Sequence, residues 1–198
     1  MKKAGKKNAY IPRVLMMVLT TVLIGVIVAI MLVVGQIQGT ARVVNYAGLV
    51  RGETQRIVKL ENAGLPQDGM IDDVTSFIAG LRFGSNELQL VRLNDVNFQN
   101  KMAELSDEFE TLKKEIQLMR TVGYHQTDII QQSEDFFAIC DEATGLAAAY
   151  SQRRATILSY LENVAVADIV ALVALIALEL FHALQFAAQN RVLQTKVY

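Results

Sequence analysis

The sequence predicts an all-α protein: an antiparallel four-helix bundle flanked by two transmembrane helices. Three observations carry that prediction. Two long apolar runs stand near the two ends of the chain, at residues 14–35 and 164–187. Between them apolar residues return every three or four positions, with no strand-like alternation of useful length. Only two prolines, Pro12 and Pro66, occur in 198 residues, so little in the chain breaks a helix.

The first run, "VLMMVLTTVLIGVIVAIMLVVG", holds no charge. At about 1.5 Å per residue it covers the roughly 30 Å hydrocarbon core of a bilayer. A signal peptide has a shorter apolar region, about 7–15 residues, and a cleavage site; here the helical pattern continues straight on. The second run is interrupted by Asp168, Glu179 and His182, and a soluble core helix is its rival reading. As a membrane span it places Asp168 near one interface, with Glu179 and His182 toward the other, since a carboxylate at the bilayer centre is costly.

Lysine and arginine set the orientation. Residues 1–13 carry Lys2, Lys3, Lys6, Lys7 and Arg13 with no acid, and the stretch after the second run carries Arg191 and Lys196 with no acid. Short basic flanks stay in the cytoplasm. The expected layout is a cytoplasmic basic tail (1–13), a first span (14–35), an extracytoplasmic bundle (36–163), a second span (164–187) and the start of a cytoplasmic linker helix (188–198). That makes a multi-pass inner-membrane protein with both termini inside.

Four helices are expected in the outer segment. The first runs from the membrane to about Glu61 and stops at the loop "NAGLPQDG". The second covers 70–92, with "FGS" at 83–85 as a possible bend or break. The third covers 94–120, where Phe98, Met102, Leu105, Phe109, Leu112, Ile116 and Met119 form an unbroken seam; Glu110 and Lys114 are placed to pair on its outer face. "VGYHQ" at 122–126 is the next turn. The fourth starts near Thr127, with a stripe through Ile129, Phe136, Ile139, Ala143, Leu146, Tyr150, Arg153, Ile157, Tyr160 and Val164.

Composition excludes several functions. The outer segment has 18 acidic and 12 basic residues, the opposite of a nucleic-acid binder. Cys140 is the single cysteine, so no internal disulfide forms, and burial in the core is its expected place. The two histidines, His125 and His182, fall in different compartments, which leaves no zinc-like cluster. No nucleophile–base pair or phosphate-binding glycine loop is visible. The chain is therefore expected to be neither an enzyme nor a cofactor or metal carrier.

The unusual stretch is "NYAGLVRGETQR" at 45–56. The core stripe of the first helix is Val43, Ala47, Val50, Thr54 and Ile57. Arg51 lies about 40° round from that stripe, on an adjoining face with Val44, Gly48, Gln55 and Val58. Gly48 and Gly52 each weaken the helix by roughly 0.5–1 kcal/mol and open space beside the guanidinium. A sheltered guanidinium needs an acceptor. Two acceptors remain open: an acid of the same chain, such as Glu53 or one on the fourth helix, or a bound anion, which arginine's paired donors suit.

The pattern of Asn45, Ala47, Gly48, Arg51 and Arg56 resembles the first-helix signature of bacterial nitrate/nitrite sensor kinases and type IV pilus chemoreceptor-like proteins. The layout of span, bundle and span is similar over nearly the whole chain. In the nitrate sensors the first arginine comes from both subunits of a dimer and holds one anion on the two-fold axis. The resemblance implies a homodimer in which Arg51 contacts a small extracytoplasmic ligand, Gly48 permits close approach, Asn45 belongs to the same motif and Arg56 supports the structure. The residues between the arginines differ from those of the nitrate sensors, and Glu53 adds negative charge, so the ligand class stays a small solute with oxyanions among the candidates.

The closing "VY" resembles the linker ahead of a diguanylate cyclase domain. A sensory portion of a longer receptor is expected, with that output, a kinase or a chemoreceptor signalling domain. The competing expectation is a membrane protein whose bundle docks another protein.

Overall fold

The computed structural model describes residues 10–195, with side chains to Gln189 and at Arg191. All four N-terminal lysines, Lys196 and the closing "VY" lie outside the described residues. The elements are α1 (Tyr10–Asn62), α2 (Asp68–Phe83), α3 (Val96–Val122), a 3₁₀ turn (Tyr124–Gln126) and α4 (Ile129–Thr195). Among the described residues there is no strand, only one antiparallel bridge, Ser85 with Leu90. The all-α expectation holds.

The chain divides into two compact units. The bundle unit is Gly35–Ala155, so residues 156–163 group with the apolar runs. Its core is the expected one in α1 and α3. Val43, Ala47, Val50, Thr54 and Ile57 are buried along α1, and all seven seam residues from Phe98 to Met119 are buried along α3. Apolar side chains at alternate three- and four-residue steps hide one stripe of each helix and drive assembly by burial.

The fourth stripe is corrected. Its buried line is Ile129, Phe136, Cys140, Ala143 and Ala147, with Ile139, Leu146 and Tyr150 packed at its edge. Ile157 and Tyr160, expected to continue the stripe, are 44% and 71% exposed. They fall past Ala155, where the bundle that would cover them has ended. Cys140 is fully buried, as expected of a small apolar-like side chain.

Helix ends follow local chemistry. The second helix stops at Phe83 rather than near residue 92, because Gly84 takes φ +87°, where a side chain would be strained. The chain then turns through the Ser85–Leu90 bridge and inserts Leu90 and Leu93 into the core. Asp95 opens α3 as its N-cap, accepting from the Phe98 amide at 3.0 Å. Gly123 closes α3 with φ +85°.

Cross-helix pairs give the direction. Lys101 meets Glu142 at 2.6 Å and Gln132 donates to Glu108; rising numbers on α3 meet falling numbers on α4, so the two run antiparallel. The expected Glu110–Lys114 pair is instead Glu110–Lys113 at 2.6 Å, one step shorter on the same face.

The other unit joins the described residues up to Val34 with those from Thr156. Both apolar runs qualify by length and hydropathy as membrane-crossing helices, with 0% and 6% of their most apolar windows buried inside the chain. The chain itself leaves the second run uncovered, whereas a core helix is mostly covered. Thr20 and Thr21 return their hydroxyls to the carbonyls of Met16 and Met17, which satisfies polar groups inside an apolar run. Asp168 is buried, and its Oδ2 has no partner among the described residues.

Candidate functional site

Arg51 stands at the edge of the bundle core, with its side chain 37% exposed. Its Nη1 donates to Asp141 Oδ1 at 2.6 Å, and its guanidinium lies 5.4 Å from the centre of the Phe137 ring. Phe137 and Asp141 sit one turn apart on α4, so the fourth helix supplies both a flat surface for the cation and an acceptor beyond it. Of the two acceptors the sequence leaves open, the structure supplies an acid of α4. Asp141 is itself 63% exposed, and exposed pairs of this kind contribute about 0.2–1 kcal/mol. The tie is exchangeable.

The glycines make a second feature on α1. Val44, Asn45, Gly48, Leu49, Gly52 and Glu53 line a shallow notch of about 300 Å³. A side chain added at Gly48 or Gly52 would meet nothing within 4 Å. The notch is a strip of bare helix backbone open to the outside of the bundle.

The four residues of the sequence motif thus divide. Asn45 and Gly48 line the notch, and Arg51 lies on the adjoining face against α4. Arg56, one turn further along, pairs with Glu53 at 3.9 Å and is mostly exposed. Glu53 belongs to the notch and to Arg56, not to Arg51. Within one chain these residues do not converge on a single pocket.

A stronger charge cluster lies at the other end of the bundle unit. The Glu61 carboxylate, with its side chain 1% exposed, accepts from Arg120 Nε at 2.9 Å, from Arg120 Nη2, and from the Gln67 amide at 2.8 Å. Arg120 Nη1 also reaches Asp68 Oδ1 at 2.8 Å. The hydrogen bonds that Arg120 donates to Glu61 and, with less effect, to Asp68 raise its pKa above its ordinary value. Glu61 and Arg120 border a cleft of about 380 Å³ with Asn62, Gly64, Pro66, Met119, Gly123 and Tyr124. Nothing in the sequence signals this cluster: Glu61 and Arg120 are fifty-nine positions apart, and each lies near the end of a different helix.

Burial drives the Cys140 thiol up to about 12, against a smaller opposing pull from Arg51. A thiol held protonated is a poor nucleophile and metal ligand.

No family model matches the chain, and no curated protein matches it. Among solved structures, the ligand-binding domain of the P. aeruginosa nitrate receptor McpN is similar to this chain, with a TM-score of 0.49 and 16% identity across 56% of this chain and 96% of that one.

Proposed function

We propose that the chain is a transmembrane sensory input module of the bacterial inner membrane. In this reading the bundle unit lies outside, both termini lie in the cytoplasm, and two copies pair along α1. A small ligand, an oxyanion by preference, binds where the Arg51 side chains approach, and the response passes through the helices to a cytoplasmic output domain.

The observation that supports this reading best is continuity. One helix, α1, holds both the first apolar run and the buried stripe Val43–Ile57, and α4 likewise holds the buried stripe from Ile129 and the second run. A change in how α1 is tied to α4 inside the bundle is carried by the same helices that enter the lipid. Arg51–Asp141 is such a tie. An anion that takes Asp141's place on the guanidinium releases it. Where two copies meet, the same anion relieves the repulsion between their arginines. Either way the ligand binds one arrangement better than the other, which is what shifts a population.

The test is thermal unfolding of the purified chain with nitrate and a panel of small oxyanions. A ligand at a hundred times its Kd adds about 2.7 kcal/mol to the native state. Arg51→Ala is expected to lose that shift and keep the helical content.

One observation favours a second reading, in which the bundle docks another protein. Arg51 is already neutralised by an acid of its own chain, so charge balance does not demand a ligand. Absence of any shift with the native chain across the panel would select that reading.

A further inference from the structure

The α2–α3 connection, residues 84–95, reaches toward the end of the bundle unit at which α1 enters and α4 leaves. Val91 packs on α1 at Gly39, so closely that a Cβ there would lie 2.9 Å from Val91 Cγ2. Gln89, the one non-glycine residue with positive φ among those described, accepts a hydrogen bond from Arg42 of α1. Asp95 is held by Arg153 of α4 at 2.7 Å, only three residues before Thr156. The connection is tied to α1 and to α4, and it leaves Val91 and Arg92 exposed.

Among the described residues no acid compensates the arginines here. The partner of Arg42 is a neutral amide. Arg92 is exposed and has no ion-pair partner among the described residues. The nearest acids in sequence are Asp95, taken by Arg153 and the Phe98 amide, and Glu87, exposed on the same connection and paired with neither arginine. Two open cations are out of keeping with an outer segment in which acids outnumber bases 18 to 12. Val91, beside them, is 45% exposed.

Position along α1 says what would meet them. Gly39 is four residues past Gly35, and Arg42 seven, which is about 6 and 10 Å of helix. The headgroup layer extends roughly 5–8 Å beyond the hydrocarbon edge. Arginine side chains bridge the remaining few ångströms, and their paired donors fit phosphate oxygens.

We infer that Arg42 of α1 and Arg92 of the 84–95 connection bind phosphodiester headgroups of the bilayer that the chain's own apolar runs cross. This rests on the membrane-spanning reading of those runs. The contact anchors the connection to the membrane surface, so the α2–α3 side of the bundle is held at the lipid while α1 and α4 pass through it.

Hydrogen exchange of the full chain tests this in three settings: maltoside micelles, which have no phosphate; nanodiscs of phosphatidylcholine with phosphatidylglycerol; and micelles with added inorganic phosphate. The amides of residues 86–93 are expected to exchange several-fold more slowly in nanodiscs than in micelles. The Arg42→Ser/Arg92→Ser double variant is expected to lose that difference while α3 keeps its protection. Equal exchange in micelles and nanodiscs, or an undiminished difference in the variant, overturns the proposal. Slowing by inorganic phosphate equal to that in nanodiscs overturns it in favour of a soluble anion. Retention of the chain in the nanodisc fraction checks the spanning reading separately, and a chain that is not retained overturns both.

Discussion

Two arginines show how surroundings decide what a guanidinium does. Arg120 holds a carboxylate that is sealed from water, and its removal would leave Glu61 with only the Gln67 amide. Arg120→Ala is therefore expected to destabilise the bundle by about 3–5 kcal/mol, seen as a lower midpoint in urea. Arg51 holds a carboxylate that is mostly in water, so the same truncation there is expected to cost no more than about 1 kcal/mol. The residue that matters for stability is thus not the one that matters for the proposed ligand, and Arg51→Ala is a clean probe for that reason. Thr54 adds a smaller mismatch: it is buried in the core and its hydroxyl has no partner among the described residues, a choice that packing alone does not explain.

The elements sort the glycines in the same way. Gly39 is crowded, since Val91 packs into the space of its absent side chain, whereas Gly48 and Gly52 face open space. In an isolated bundle Gly48→Ala is expected to add about 0.5–1 kcal/mol of stability. A bulky Gly48→Leu fills the notch and, if α1 pairs with a second α1 there, shifts sedimentation of the chain toward monomer with its helicity unchanged. Unchanged association would remove the notch from the dimer reading.

Legibility in the sequence followed periodicity. The stripes of α1 and α3 could be read residue by residue because each buried position repeats at helical spacing. The end of α2 could not, since "FGS" permits either a bend or a stop, and the stop depends on Leu90 and Leu93 reaching the core. The stripe of α4 was lost where Ile157 and Tyr160 keep the period without a partner helix to cover them. At the site, the sheltered face of Arg51 was legible from its angle to the stripe. Its partner was not, because Asp141 sits among several surface acids and only tertiary packing selects it.

At the scale of the whole molecule, stability has a pH signature from one buried atom. The Cys140 thiol is raised to about 12 in the folded bundle, largely by burial. A group whose folded value lies above its unfolded one contributes stability at lower pH and loses it as the pH climbs. The window here runs from about 9, where the unfolded thiol ionises, to about 12. Cys140→Ala is expected to flatten that part of the stability curve relative to the native chain, as measured by urea midpoints across alkaline pH. An identical slope in both proteins would mean the thiol meets water in the folded state.

The Arg51–Asp141 contact joins positions ninety residues apart, and this shapes how the protein is made. Translation proceeds at roughly 5–20 residues per second, so the first helix waits on the order of 5–20 s for the last one to emerge. Throughout that interval Val43, Val50 and Ile57 have left the ribosome without their final cover. In that interval α1 can meet α2, through Tyr46 on Phe77, and α3, through Glu61 on Arg120, and its cover from α4 is added last.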